Sequence, residues 1–260
     1  MLPRVEFCGL NVTRLIIGAN PFGGYSHQNV ARDREMRAYY TPDRILETWE
    51  RAWAAGINTM ITNNETPHVI QATARYLAEG GPLQWIAQVN LLNETPMQAA
   101  LDQVVEIGCA AAYLHGGLVD RLYAEQDERA LRAWVQHGQS LGVPIGVAGH
   151  HTDVHDWVDR MELVDFHAVP FFNCGSLRNG AGHQFKLEDI FSAAQCIQRL
   201  DKPCIAYKIM GSGRMDARMS FEYAFEQIKP GYVVNVGMYR GDKEDMVEEN
   251  VALVGELLGA

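Results

Sequence analysis

Residues 56–67 read GINTMITNNETP. A glycine opens the stretch, and the apolar and β-branched run through Ile61 and Thr62 has the composition of a short buried strand. The chain then passes without a break into Asn63, Asn64 and Glu65. Thr66-Pro67 follows, a capping hydroxyl before a proline suited to the first turn of a helix. The unit is strand, polar end, helix, and the fold depends on whether it recurs.

It does. Thr41-Pro42 and Thr95-Pro96 repeat the helix start, and Gly56, Gly80 and Gly108 follow where helices should stop. Between them lie RLIIGAN (14–20), INTMITN (57–63), QWIAQVN (84–90), AAAYLHG (110–116), PIGVAGH (144–150), DFHAVPFFN (165–173), PCIAYKI (203–209) and YVVNVGM (232–238), eight short apolar runs. Helical patterns separate the later runs at about 127–141, 153–161, 187–200, 216–228 and 242–258. Strand then helix, eight times over, predicts an α/β fold: a (β/α)8 (TIM) barrel with a parallel inner sheet, closed at its bottom by a short N-terminal hairpin from VEFCGLNVT. No linker or low-complexity segment interrupts it, so residues 1–260 are expected to form one domain.

Composition excludes several function classes. With 47% hydrophobic residues the chain can bury one sizeable core, and its net charge of -10 comes without a basic stripe, which argues against nucleic acid. No apolar run reaches spanning length. The opening MLPRVEFCGL does not read as a signal peptide, and five cysteines without a CxxC pair fit reduced thiols, so a cytoplasmic setting is expected. The expected partner is a small-molecule substrate, with room for a homo-oligomer.

In such a barrel the C-terminal strand ends and the loops after them build the active site. Collecting them gives Asn20, Asn63, Asn64, Glu65, Gln88, Asn90, His115, His150, His151, Asn173, Cys174, Lys208 and Arg214, a rim rich in amides and imidazoles. Any single Asn among them is better explained by capping a strand end or bonding loop backbone. The collection is harder to explain that way.

The entry RLIIGANPFGG, the unit TPDRILETWERAWAAGIN, the strand YLHGG and the ending VGMYRGDKEDMVEENVALV together resemble the aldo/keto reductase superfamily over nearly the whole chain. That resemblance implies a carbonyl reductase using NADPH and an Asp, Tyr, Lys and His tetrad. Most of the implied set is replaced. The family's Asp-Thr-Ala falls on Ile61-Thr62-Asn63, its Tyr near Thr66 and its Lys at Gln88, while its His is kept as His115. The nicotinamide anchors fall on Ala148-Gly149 and Ala168, and the Arg for the adenosine phosphate on Met246. NADP(H) is therefore not the expected cofactor, because neither a proton donor for the alkoxide nor a dock for the dinucleotide is carried over.

What remains suggests other chemistry. His115, His150, His151 and Glu65 could converge on a divalent metal (Zn, Mn or Mg), although successive strand residues alternate and only one of the paired histidines should point inward. The alternative is that His115 is a hydrogen-bonded relic. Lys208, among Ile205, Tyr207 and Met210, could form a Schiff base or stabilise an oxyanion, or simply pair with Glu65. Cys174 is a nucleophile or a buried inert thiol. The loop after strand six, 173–185, could close over substrate with Arg178 and His183, and the first loop carries Tyr25 and His27 to the same face.

The expectation is an enzyme: a non-redox lyase, isomerase or hydrolase acting on a small polyhydroxylated or carboxylated substrate. His115, Lys208, Glu65 and His151 would be catalytic; Asn20, Asn63, Gln88, Asn90, Asn173 and Arg214 would bind substrate. A reductase with an atypical site, a Schiff-base aldolase and a non-catalytic binding protein are the alternatives.

Overall fold

Strands β3 (Leu15–Gly18), β4 (Thr59–Asn63), β5 (Gln84–Val89), β6 (Ala111–Leu114), β7 (Ile145–Ala148), β8 (Phe166–Pro170), β9 (Cys204–Tyr207) and β10 (Val233–Gly237) pair in parallel and in sequence order, and β10 returns to β3 to close the barrel. The computed structural model describes residues 1–92, 95–174 and 185–260. Two further strands, β1 (Arg4–Phe7) and β2 (Leu10–Thr13), form the antiparallel hairpin. Its Phe7 meets Phe166, the first residue of β8, edge to face at 5.3 Å, so the hairpin plugs the N-terminal end of the barrel as expected.

The strand interiors are buried on both faces. Ile16, Ile61, Ile86, Tyr113, Ala148, Ala168, Ile205 and Val233 pack with Phe7 and Phe166 inside the barrel. Their neighbours Ile17, Met60, Trp85, Leu114, Val147, Val169, Ala206 and Val234 belong to a second cluster that includes the surrounding helices. Each fully buried Ile contributes about 1.5–3 kcal/mol of transfer free energy, so interior and outer layers both specify the closure. Two residues above each interior position the same face arrives at Gly18, Asn63, Gln88, His115, His150, Pro170, Tyr207 and Asn235. This ring is the top of the barrel.

The helix signals hold in part. Thr41 accepts from the Arg44 N–H and caps α3 (Pro42–Ala55), which ends on left-handed Gly56 at φ 110°. Before α4 (Pro67–Ala78), however, the Thr66 side chain makes no cap; Asn63 instead accepts from the Thr66 N–H. Pro96, not Thr95, occupies the cap of α5 (Met97–Ile107), which ends on left-handed Gly108. One region read as a loop and one given no helix are helical. The segment after β3 forms α1 (Asn20–Gly23) and α2 (Val30–Tyr39), the latter capped by Asn29. After β6 the chain enters α6 (Gly116–Glu125) at once, with His115 as its cap, before α7 (Glu128–Ser140). The remaining helices are α8 (Thr152–Asp159), α9 (Asp189–Arg199), α10 (Ala217–Gln227) and α11 (Met246–Leu257). Among the described residues no helix is long and apolar enough to cross a membrane, and all five cysteines are free thiols.

Candidate active site

Over the top of the barrel lie two adjoining recesses, one of about 220 Å³ at the ends of β3, β9 and β10 and one of about 520 Å³ over β4 to β7. Asn20, Tyr25, His27, Asn63, Gln88, Tyr207 and Lys208 line both, so they form one mouth with room for a small molecule.

The wall at β6 and β7 carries the most specific geometry. His150 is gripped by Asp120, whose carboxylate accepts from the His150 backbone N–H at 2.9 Å and lies 2.6 Å from its Nδ1. A carboxylate can only accept, so Nδ1 carries the proton and Nε2 is left as an acceptor in the neutral ring. Burial pushes the Asp120 carboxyl up, but the bonds from His150 outweigh it and hold the group below its ordinary range. His115 is set the opposite way. Its Nδ1 accepts from the Gly117 N–H at 3.2 Å, which leaves Nε2 to carry the proton. Burial is the main cause that lowers the pKa of His115, with Glu65 opposing and His150 and Lys208 assisting, so the ring stays neutral near pH 7. The two ring centroids are 6.5 Å apart, and both residues line the larger recess. With both rings in the neutral form, one offers a donor and the other an acceptor.

Lys208 arrives from the end of β9, two strands beyond β7. Its φ of 55° lies in the left-handed region, and its Nζ donates to the Cys174 carbonyl at 3.2 Å. Burial draws its pKa from 10.5 down to about 8, with the Cys174 and Asp120 charges opposing. Among the described residues no carboxylate lies within ion-pair distance, so pairing with Glu65 does not occur; Glu65 instead accepts from the Asn90 amide at 2.9 Å. Tyr113, inside the barrel, donates to Gln88 Oε1 at 3.0 Å, and Tyr25 reaches from the first loop to place its hydroxyl 3.2 Å from Thr66 Oγ1. Asn20 lies 3.4 Å from His27 Nε2. Among the described residues Asn235 Oδ1 is buried without a partner at the smaller recess, close enough to Gly18 that a side chain there would collide with it.

The structure places four of the expected site features differently. His151 is exposed at the start of α8 and lines a neighbouring recess that shares His150 with the mouth but not His115, because the residue after inward His150 faces the other way. Asn173 lines that neighbouring recess too, and its N–H donates to Asp189. Arg214 is exposed and lines neither part of the mouth; its guanidinium donates to the carbonyls of Gly211 at 2.7 Å and His27 at 3.0 Å, tying the β9 loop to the first loop. The proposed metal set of His115, His150, His151 and Glu65 does not close: among the described residues no three His, Cys, Asp or Glu side chains are grouped to hold a metal ion. Asn64, placed at the rim, is spent on structure, exchanging bonds of 2.8 and 3.1 Å with the Asn90 backbone. Cys174 is buried. The suggested lid residues Arg178 and His183 lie outside the described residues.

Asp120, Tyr113, Tyr207 and Asn235 were missed. Counting two residues beyond each interior position finds Tyr207 and Asn235, and Tyr113 is itself an interior position; Asp120 becomes visible only once helix α6 is known to start directly at His115.

No family model and no curated relative matches the sequence. Solved structures do match. A protein provisionally named an aldo-keto reductase from Pseudomonas aeruginosa is 16% identical with a TM-score of 0.67, covering 98% of this chain and 94% of its own. The 3-hexulose-6-phosphate synthase of Salmonella typhimurium is 10% identical with a TM-score of 0.60, over 95% and 98%. Orotidine 5'-monophosphate decarboxylase from Methanocaldococcus jannaschii is 10% identical with a TM-score of 0.58, over 96% and 100%. At these identities the shared property is the (β/α)8 barrel fold.

Proposed function

We propose that this chain is a non-redox enzyme, an isomerase or lyase, that removes and returns a proton beside the carbonyl of a small polyhydroxylated or carboxylated substrate. The observation that carries this is the complementary state of the two histidines: Asp120 fixes His150 with an accepting Nε2, while Gly117 fixes His115 with a donating one. In this scheme the carbonyl oxygen sits against His115, whose N–H stabilises the developing enolate, and His150 takes the adjacent proton as general base. Each such group typically contributes about 10²–10⁴-fold. Asn63, Gln88, Asn20 and the Glu65–Asn90 pair would receive substrate hydroxyls. Lys208 places its nitrogen at the same carbonyl. No step passes through a metal, and the fold supports the idea only in that neighbours named a synthase and a decarboxylase share it. Free thiols fit a cytoplasmic setting.

The test is solvent exchange: incubation in D2O with a panel of small hydroxyketones, hydroxyaldehydes and keto acids, read by proton NMR at the carbon next to the carbonyl. Exchange by the native protein that is lost in His150→Asn is expected. Exchange unaffected by that substitution would remove His150 as the base.

A second reading, an NAD(P)H-dependent reductase with an atypical site, is favoured by the smaller recess of the mouth, which could take part of a dinucleotide. NADPH titration followed by fluorescence separates the two. Because the family's anchors are replaced at Ala148, Ala168 and Met246, we expect no binding at micromolar concentration.

A further inference from the structure

Lys208 breaks the pattern of its own strand. Ile205 packs inside the barrel, and Tyr207 follows it on the same face to line the mouth. Alternation would send the next side chain outward to the helices. The left-handed backbone at Lys208, φ 55°, a conformation that residues with a Cβ rarely adopt, goes with a side chain that lines both recesses instead. Strain of this kind persists where the surrounding structure holds it, and it concentrates at functional sites.

The surroundings suit an amine used in its neutral form. Nζ has a backbone carbonyl as partner and, among the described residues, no carboxylate. Buried Ile209 follows it in the chain. Burial lowers the pKa to about 8, which leaves a useful free-amine fraction at neutral pH. His115 feels the charges of Lys208, Glu65, His150 and Asp120, so the proton-transfer groups and the amine share one field.

We propose that Lys208 is a covalent catalyst that captures the substrate carbonyl, of a small ketone or aldehyde carrying a hydroxyl or carboxylate, as a protonated imine. This rests on the acid–base function proposed above. The Nζ lone pair forms the C–N bond, and one of the two N–H protons passes to the carbonyl oxygen, giving a neutral carbinolamine. A second proton, delivered to that oxygen from the His115 side, lets it depart as water while the nitrogen lone pair forms the C=N bond of the protonated imine. His150 then takes the neighbouring proton, and the C–H electron pair moves into the C–C bond to give a neutral enamine. Reprotonation and re-addition of water release product and the free amine. No oxidant or reductant takes part.

The test uses the full chain with glyoxylate, pyruvate or hydroxyacetone in the presence of cyanoborohydride, followed by peptide mass mapping. The sequence has five lysines, Lys186, Lys202, Lys208, Lys229 and Lys243, so the adduct is readily placed. The expected result is one adduct at Lys208, formed at least about tenfold faster than at the other four, and absent from Lys208→Met. Labelling spread evenly over the lysines, or none at Lys208 with any of the three carbonyls, overturns the proposal. Solvent exchange that persists in Lys208→Met overturns it too while leaving the histidine chemistry standing. Trapping at Lys208 without any dependence of exchange on His150 supports the covalent step and removes only the acid–base function.

Discussion

Asp120 holds His150 at two points, accepting from its backbone N–H and from its Nδ1 at 2.9 and 2.6 Å across 30 residues of sequence. Two-point attachment fixes the ring's orientation and its tautomer together. Replacing Asp120 by Asn keeps the size but can offer an amide donor to Nδ1, which moves the ring proton to Nε2. Solvent exchange should fall on the order of 10²-fold or more. Nitrogen NMR of the ring should show His150 changing from Nδ1–H to Nε2–H. A variant that loses exchange with the tautomer unchanged would count against this role for Asp120.

The two adjacent histidines should behave differently. His150→Ala should abolish exchange and His151→Ala should leave it intact, because only the first lines the mouth with His115. Neither fills the core, so both thermal midpoints should stay within a few degrees of the native one, a shift of about 1 kcal/mol or less. Loss of exchange in His151→Ala would show that its recess belongs to the site.

Lys208→Met should stabilise the protein while removing its chemistry. In the folded state burial brings the amine down to about 8, against 10.5 for an exposed lysine, so the fold carries a penalty for the buried charge that is full below about pH 8 and fades as pH rises toward 10.5. Met removes that penalty, on the order of 3 kcal/mol at neutral pH. The gain in melting temperature should therefore be largest at pH 7 and shrink through pH 8 to 10. His115, His150, Asp120 and Glu65 are ionisable groups near the same amine, so the comparison is made against native protein at each pH. An equal gain at all pH values would mean that packing, not charge, is responsible.

Acid should destabilise the fold through a second, buried histidine pair. His155 on α8 and His167 on β8 meet at 3.1 Å between their Nδ1 atoms, so one ring donates to the other and both cannot be protonated there. Burial, then His167, lowers the pKa of His155 to about 3, whereas an exposed histidine titrates at 6.5. Its neutral form is thus required for folding, and stability should fall as pH drops from about 6.5 toward 3. Between pH 6.5 and 4.5 the melting temperature should decrease by roughly 5–10 °C. Replacing both rings by Leu, which avoids leaving one unpaired beside Asp159, should flatten that slope; an unchanged slope would assign the acid sensitivity to the carboxylates.

Much of the barrel was legible because its signals are local. Eight apolar runs, proline near the helix starts and glycine at helix ends follow from backbone sterics and capping, which act within a few residues. The same locality explains what failed. The segment around Val30–Tyr39 reads as a polar loop because the helix there buries little, with Met36 its one buried residue, and α6 opens on Gly116-Gly117, which looks like a break.

The sequence by itself determined the architecture and the general position of the site: a parallel barrel puts its chemistry at the strand ends, and those ends are rich in Asn, Gln, His and Lys. It did not determine which member of each adjacent pair faces the mouth. Parallel strands are buried on both sides, so Met60 and Ile61, or Val147 and Ala148, are equally apolar and the alternation leaves no phase to read. Only closure of the barrel assigned Asn63 and His150 to the inside and His151 to the outside. Packing likewise brought Asp120 against His150 and turned Lys208 against its strand's register, since both depend on contacts between segments that the chain separates by tens of residues.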